Sequence, residues 1–365
     1  MSKRRYEEII NYENDITYIN KEINDLDDLI YLGEQYRPYK KYNINVEKLY
    51  NILPVLRELK NVIGMDNIKK TIVNQIIYFI QDFQDKNSDM MHTVIQGPPG
   101  VGKTMLGQII GKIYFKMNII EKNDLSSSSS STSLSSSSTP FCCDEPETKL
   151  NINEEYKFII AKRSDLIGKY LGHTAAKTQE VIDRSLGGVL FIDEAYSLGN
   201  EEGRDSFSKE CIDTINQNLT EKKNQLLVII AGYKESLDNC FFSYNEGLRR
   251  RFPFVYNLDN YKANEMSLIL KKMIKDMGTN WDIRCDIVFL NKFFEKNKLS
   301  FINSAGDIET FVFNIKIEHS KRVLYYPLGS SYRKKITSAD IEKAFNIYKE
   351  NKKIKEESFI NTLYS

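Results

Sequence analysis

The residues whose types and spacing most clearly carry chemistry are Gly97-Pro98-Pro99-Gly100-Val101-Gly102-Lys103-Thr104. Glycines at these positions let the backbone curl until successive N–H groups converge on phosphate oxygens, and a following helix adds its positive N-terminal end. In such a loop an ammonium at Lys103 reaches the β and γ phosphates, while the Thr104 hydroxyl holds Mg²⁺. The flanks fit. Residues 91–96 are apolar enough for a short buried strand, and Met105 opens an apolar helix start running to Ile110. Strand, glycine loop and helix in that order make ATP with Mg²⁺ the first ligands to expect.

A second chemical element lies at Gly187-Gly188-Val189-Leu190-Phe191-Ile192-Asp193-Glu194, an apolar run suited to a central parallel strand that ends in two carboxylates. Ligand chemistry in open α/β sheets sits at strand ends of this kind. Asp193 is placed to accept from the Mg²⁺ water shell, and Glu194 to orient or deprotonate an attacking water.

The elements that must position these groups are legible as alternating strands and helices. Ile68, Ile72, Ile76 and Ile80 recur at helical spacing before the glycine loop. Residues 156–161 and 225–231 read as two more buried strands, which argues for a three-layer αβα domain on a parallel sheet. Beyond about Asp259 strand signals fade. Met266, Leu268, Ile269, Leu270 and Met273 mark one helix, and Thr337-Ser338-Ala339-Asp340 opens another with a capping signature. A small helical lid is expected there, with Trp281, Phe293, Phe294, Phe311 and Phe313 as its core. The expected organisation is an N-terminal helical extension (1–55), an α/β nucleotide-binding domain (56–258), a lid (259–350) and a tail (351–365). A nearly all-serine stretch within 125–150 cannot bury enough apolar surface to offset its ordering entropy and is expected to be a disordered insertion.

Composition excludes other classes. With Lys+Arg 51 against Asp+Glu 50 there is no basic excess to hold nucleic acid or an anionic membrane, and no apolar stretch is long enough to span a bilayer. Cys142, Cys143, Cys211, Cys240 and Cys285 show no metal-ligand spacing, which fits a reducing intracellular compartment and a soluble, cytoplasmic protein.

Taken in order, the phosphate loop, the Asp-Glu strand end, a third strand, an arginine run and a helical lid resemble an AAA+ ATPase. Narrower likeness comes from Leu166-Ile167-Gly168-Lys169-Tyr170-Leu171-Gly172-His173-Thr174-Ala175-Ala176-Lys177-Thr178, Gly187-Gly188-Val189-Leu190-Phe191-Ile192-Asp193-Glu194-Ala195-Tyr196-Ser197-Leu198, Ile230-Ala231-Gly232-Tyr233 and Asn245-Glu246-Gly247-Leu248-Arg249-Arg250-Arg251-Phe252. These are similar to the CbxX/CfxQ family. The resemblance implies a ring, a hexamer in the simplest case, that hydrolyses ATP and works on a protein client of unknown identity through its central channel. It implies that Lys169, Tyr170 and Leu171 form a pore loop gripping that client, with residues 200–205 a second, weaker loop. It implies that Arg249 and Arg251 reach the γ-phosphate held by a neighbouring subunit, so that they act in catalysis beside Glu194. Nucleotide contacts are expected from Gly97 through Thr104, from Met105, and from Ile63 and Gly64 upstream. Two departures stand out: Tyr233 where many AAA+ proteins carry a polar residue, and Gly306 near where close relatives carry a lid arginine. The competing functions are a nucleic-acid-directed motor or loader, which the neutral charge disfavours, and a nucleotide-dependent scaffold with little turnover.

Overall fold

A computed structural model describes residues 16–19, 22–121, 156–170, 172–199 and 205–363. The serine-rich insertion with Cys142 and Cys143, the pore-loop residue Leu171, and positions 200–204 of the expected second loop lie outside these residues.

The chain begins with a two-residue strand β1 (Ile16–Thr17), helix α1 (Leu26–Glu34) and β2 (Lys41–Tyr42), which pairs in parallel with β1. Helices α2 (Val46–Lys60) and α3 (Asp66–Ile80) follow, then β3 (Thr93–Gln96), α4 (Lys103–Lys116), β4 (Phe158–Ala161), α5 (Arg163–Leu166), α6 (His173–Ser185) and β5 (Gly188–Ile192). Next come α7 (Ser206–Glu221), β6 (Leu226–Gly232), α8 (Lys234–Cys240) and β7 (Phe254–Asn257). Strands β3 to β7 form one five-stranded parallel sheet in the order β4-β5-β6-β3-β7.

Side-chain alternation along the strands builds two cores. Ile95, Phe191, Leu227 and Ile229 point to one face and pack with α1 to α4, whereas Val94, Leu190, Ile192, Val228 and Ile230 point to the other and pack with α6 and α7. Helices cover both faces, which is why β5 and β6 are buried along their whole length and read as unbroken apolar runs. β7 carries little signal in the sequence because it is a short edge strand with alternating exposure.

Two expected boundaries need correction. The division between 55 and 56 falls inside α2, and Leu29, Leu49 and Ile52 share one core with Ile95 and Ile109 of the sheet layer. The described part of the N-terminal extension is therefore packed onto the α/β unit, because its amphipathic helices bury their apolar stripe there. The break between them, 35–45, spans the Gln35–Tyr39 position where the sequence suggested one.

The C-terminal region holds α9 (Ala263–Lys275), β8 (Asp282–Arg284), α10 (Ile287–Lys296), α11 (Ala305–Arg322), β9 (Lys335–Thr337) and α12 (Ser338–Leu363). Helices dominate it, but β8 and β9 form a short parallel pair that the sequence did not suggest. α12 runs on through 351–363, so the expected tail largely continues that helix. Phe294 and Phe311 fill this core as expected, joined there by Phe345 and Leu290, while Trp281 and Phe293 pack at its margin. Phe313 does not: it is 62% exposed, because two residues beyond Phe311 on a helix is nearly the opposite face.

Candidate active site

The parallel register brings three strand ends side by side. Gln96 lies level with Gly232 on β6, and Ile192 of β5 lies level with Ile230, so the glycine loop after β3 and the carboxylates after β5 flank the end of β6. The Gly97 amide donates to the Gly232 carbonyl at 3.1 Å, and the Asp193 amide to the Ala161 carbonyl at 3.0 Å. Around these ends is a cavity of about 630 Å³ lined by Pro99, Gly100, Gly102, Lys103, Thr104 and Met105, with Asp193 and Glu194 facing them.

Local backbone chemistry explains the shape of the loop. Gly102 sits at φ +91° immediately before α4, a conformation that side chains rarely adopt, and it aims the first amides of that helix into the cavity. A Cβ on Gly100 would lie 2.0 Å from the Asn303 carbonyl oxygen, so the loop approaches the lid as closely as backbone allows. Lys103 Nζ donates to the carbonyls of Gly97 at 3.0 Å and Pro98 at 2.8 Å, and lies 5.3 Å from the centre of the Tyr233 ring. Burial pulls this ammonium below the usual lysine range, and the carboxylates of Asp193 and Glu194 act in the opposite direction.

Glu194 is held at φ 51° and ψ 44°, a left-handed conformation for a residue with a full side chain. Such strain persists only where the surroundings impose it, and it clusters at functional positions. Here the Glu194 amide donates to Asp193 Oδ1 at 3.1 Å, and its carbonyl accepts from the Ser197 amide at 2.7 Å. Tyr196 packs against Tyr233 with ring centres 5.6 Å apart, and burial, reinforced by the Glu194 charge, pushes the Tyr196 phenol up to about 12.

The lid closes the cavity. Tyr261 donates its hydroxyl to the Val101 carbonyl at 3.0 Å, and the Ala305 amide donates to the Gly100 carbonyl at 3.1 Å. Ile269, Lys272, Met273, Asp276, Ala305, Gly306 and Glu309 line the lid side, with Val62 and Ile63 beside them. Of the expected nucleotide contacts, Gly64, Gly97, Pro98 and Val101 are not among the residues lining the cavity: Gly64 lies against Glu265, the Gly97 and Pro98 carbonyls accept from Lys103, and Val101 is buried beneath the loop. Tyr261 and Lys272 were not singled out from sequence, and Tyr196 and Glu309 carried no site role there; the two lid-helix residues carry no local signal, because only the fold brings the lid over the loop.

Other expected functional residues lie outside this cavity. Lys169 and Tyr170 are exposed on the loop after α5, the Tyr170 ring edge-on to His173 at 5.6 Å. Arg249, Arg250 and Arg251 form a 3-10 turn before β7. Arg249 pairs with Asp238 and lies 4.4 Å over the Phe242 ring; Arg251 donates to Thr220 Oγ1 and to the Gly247 carbonyl, each at 2.9 Å. Arg250 is exposed and has no hydrogen-bonding or ionic partner among the described residues.

Mg²⁺ fits the donor set present. A hydroxyl from Thr104 and a carboxylate from Asp193 face one cavity, both hard oxygen donors, and this ion is commonly held by one or two protein oxygens together with substrate phosphates.

Comparison with known proteins gives the family. The model of the ATPase family associated with various cellular activities (AAA) matches residues 93–260, which run from β3 past β7. A cfxQ-like protein of Acanthamoeba polyphaga mimivirus is 38% identical over 355 residues, 96% of this chain and 77% of that protein. The chain is an AAA+ ATPase of the CbxX/CfxQ family. As a member it binds nucleotide and hydrolyses ATP. Stage V sporulation protein K of Bacillus subtilis is 33% identical over 226 residues, 60% of this chain and 59% of that protein. Among solved structures, the FIGL-1 AAA domain in complex with ADP superimposes on this ATPase with a TM-score of 0.51 and 18% identity, covering 79% of this chain and 83% of that one. That likeness is one of fold. Among the described residues of the ATPase, no helix is long and apolar enough to cross a membrane.

Proposed function

We propose that this ATPase works as a ring of identical subunits, a hexamer in the simplest case, that moves a protein client through its centre. The observation that carries the reading is the division of labour in the structure: Lys103, Thr104, Asp193 and Glu194 converge on one cavity, whereas Tyr170 and the arginine turn stand outside it, with Tyr170, Arg249 and Arg250 exposed and Arg251 half-buried. Lys103 holds the β and γ phosphates once a triphosphate replaces its carbonyl partners. Thr104 and Asp193 hold Mg²⁺, which when bound neutralises charge on the phosphates. Glu194 orients and deprotonates the attacking water. Arg249 and Arg251 exchange their present partners for the phosphate in the neighbouring subunit, where a fixed guanidinium stabilises the charge of phosphoryl transfer. Tyr170, flat and amphipathic, suits sequence-tolerant contact with a polypeptide.

A photo-reactive residue in place of Tyr170, in a Glu194→Gln background with ATP, tests the whole reading. ATP-dependent protein adducts on an assembled ring support it. Adducts with DNA or RNA replace it with a nucleic-acid motor, and a monomer by light scattering in ATP overturns the ring.

A further inference from the structure

Three segments meet at a single guanidinium near the carboxylate end of the sheet. β4 and β5 are neighbours with Ala161 level with Ile192, so the chain leaves both at the same edge. From β5 it passes through Asp193 and Glu194 into a 3-10 turn, Ala195–Leu198; from β4 it enters α5, which leads into the loop bearing Tyr170. Arg163 opens α5. Its Nη1 donates to the Ser197 carbonyl and, at 3.4 Å, to Ser208 Oγ, while Nη2 donates to Asp205 Oδ2 at 2.9 Å. Asp205 in turn caps α7, accepting from the Phe207 amide at 3.0 Å and from the Ser208 hydroxyl at 2.6 Å.

Both ends of this connection are taut. On the nucleotide side, Ser197 donates its amide to the Glu194 carbonyl at 2.7 Å, so the turn is fastened to the strained glutamate itself. On the loop side, Thr178 Oγ1 donates to the Leu166 carbonyl and Lys177 Nζ to the Ile167 carbonyl, each at 3.0 Å, and the Gly168 amide donates to Thr174 Oγ1 at 3.1 Å. A planar guanidinium with fixed donors joins such segments with little slack, which a flexible ammonium does not. Packed elements tied in this way respond to a small shift as bodies and do not absorb it locally.

We propose that Arg163 is a positioning residue that couples the state of the ATP site to the Tyr170 loop, by locking the turn after Glu194 to α5 and to the capped end of α7. Displacement of Glu194 as the γ-phosphate is bound and lost carries the Ser197 carbonyl with it, and Arg163 passes the movement to the start of the loop helix. The proposal rests on Glu194 belonging to the ATP site; it holds whatever the loop grips.

Hydrogen–deuterium exchange on the full-length chain tests it without a client. In the wild type, exchange across 163–170 differs between ADP and a non-hydrolysable ATP analogue with Mg²⁺. Arg163→Gln is expected to bind both nucleotides within about threefold of wild type while losing most of that difference, and Arg163→Lys to recover part of it. Should Arg163→Gln fail to fold, Asp205→Asn and Ser208→Ala cut the same fork from its other side. A loop difference that persists at wild-type size in the variants overturns the proposal, as does a wild-type loop indifferent to nucleotide, or variants that lose nucleotide binding outright. Failure of the ring or client reading leaves these exchange results unaffected, so the two are separable.

Discussion

At the nucleotide cavity Lys103 is half-buried and donates to two carbonyls, Glu194 is pinned in a left-handed conformation, and lid and loop are joined through Tyr261 and Ala305. At the arginine turn Leu248 and Phe252 are buried on either side, yet Arg249 and Arg250 are exposed and Arg251 is half-buried, and on the loop after α5 Lys169 and Tyr170 are exposed. Tyr170 is 67% exposed. The difference teaches where each chemistry is completed. Lys103, Thr104 and Asp193 are half-buried at the cavity, whereas Tyr170, Arg249 and Arg250 stand in water; under the proposed function the first set acts on a phosphate in its own subunit and the second on something beyond it.

The largest expected effect is inside the cavity. Lys103→Ala removes the principal point charge for the triphosphate and should abolish ATP binding, measured by titration with labelled nucleotide; wild-type affinity in that variant would remove the cavity from the comparison. Glu194→Gln should bind Mg·ATP normally and turn over roughly a hundredfold more slowly, because only the proton-accepting group is lost. Parallel loss of binding and turnover would assign Glu194 a structural role.

Outside the cavity the arginines sharpen the contrast. Alanine at Arg249, Arg250 or Arg251 should each leave ATP binding intact and lower hydrolysis, by about tenfold singly, since an adjacent guanidinium partly takes over phosphate contact. Mixing Arg251→Ala with Lys103→Ala subunits should restore some activity if the turn acts across an interface. The variant with the deepest loss identifies which guanidinium crosses. Arg250 is the one that gives up no internal partner to do so.

Acid tests the buried sheet that both regions share. His92, fully buried immediately before β3, accepts from the Val228 amide through Nδ1 and donates through Nε2 to the Leu219 carbonyl, and burial lowers its pKa to about 4. A folded value below the unfolded one, near 6.5, means that stability is complete above that pH and is lost as pH falls toward 4, by up to about 3 kcal/mol. Denaturant midpoints at several pH values should show this slope in the wild type and a flatter one in His92→Gln. The smallest effect is expected at Gly306, where a Cβ would meet nothing within 4 Å. Gly306→Arg should fit without strain and tighten ATP binding only a few-fold, about 1 kcal/mol, because it adds a partly solvated charge to a site already built.

Much of the cavity was legible because its chemistry is local. Gly97 through Thr104 must be contiguous for backbone amides to surround a phosphate, and Asp193-Glu194 must follow directly on a buried strand, so spacing alone exposes both. Periodicity likewise showed α3 through Ile68, Ile72, Ile76 and Ile80, all of which are buried. β7 and the β8–β9 pair were hidden, since a few alternately exposed residues leave no pattern until a neighbouring strand pairs with them.

The amino-acid sequence by itself determined the phosphate loop, the carboxylate pair, the alternation of strands and helices and the family, because each depends on neighbours along the chain or on runs of apolar residues. Only the tertiary structure decided that Lys272 and Glu309 face the nucleotide cavity, that the N-terminal helices share the sheet's core, that Phe313 points outward, and that Arg163 joins the turn after Glu194 to the Tyr170 loop. Those facts depend on which helix lies over which strand end. Segments far apart in sequence meet there because burying their apolar faces together is favourable, and no local spacing records where they will meet.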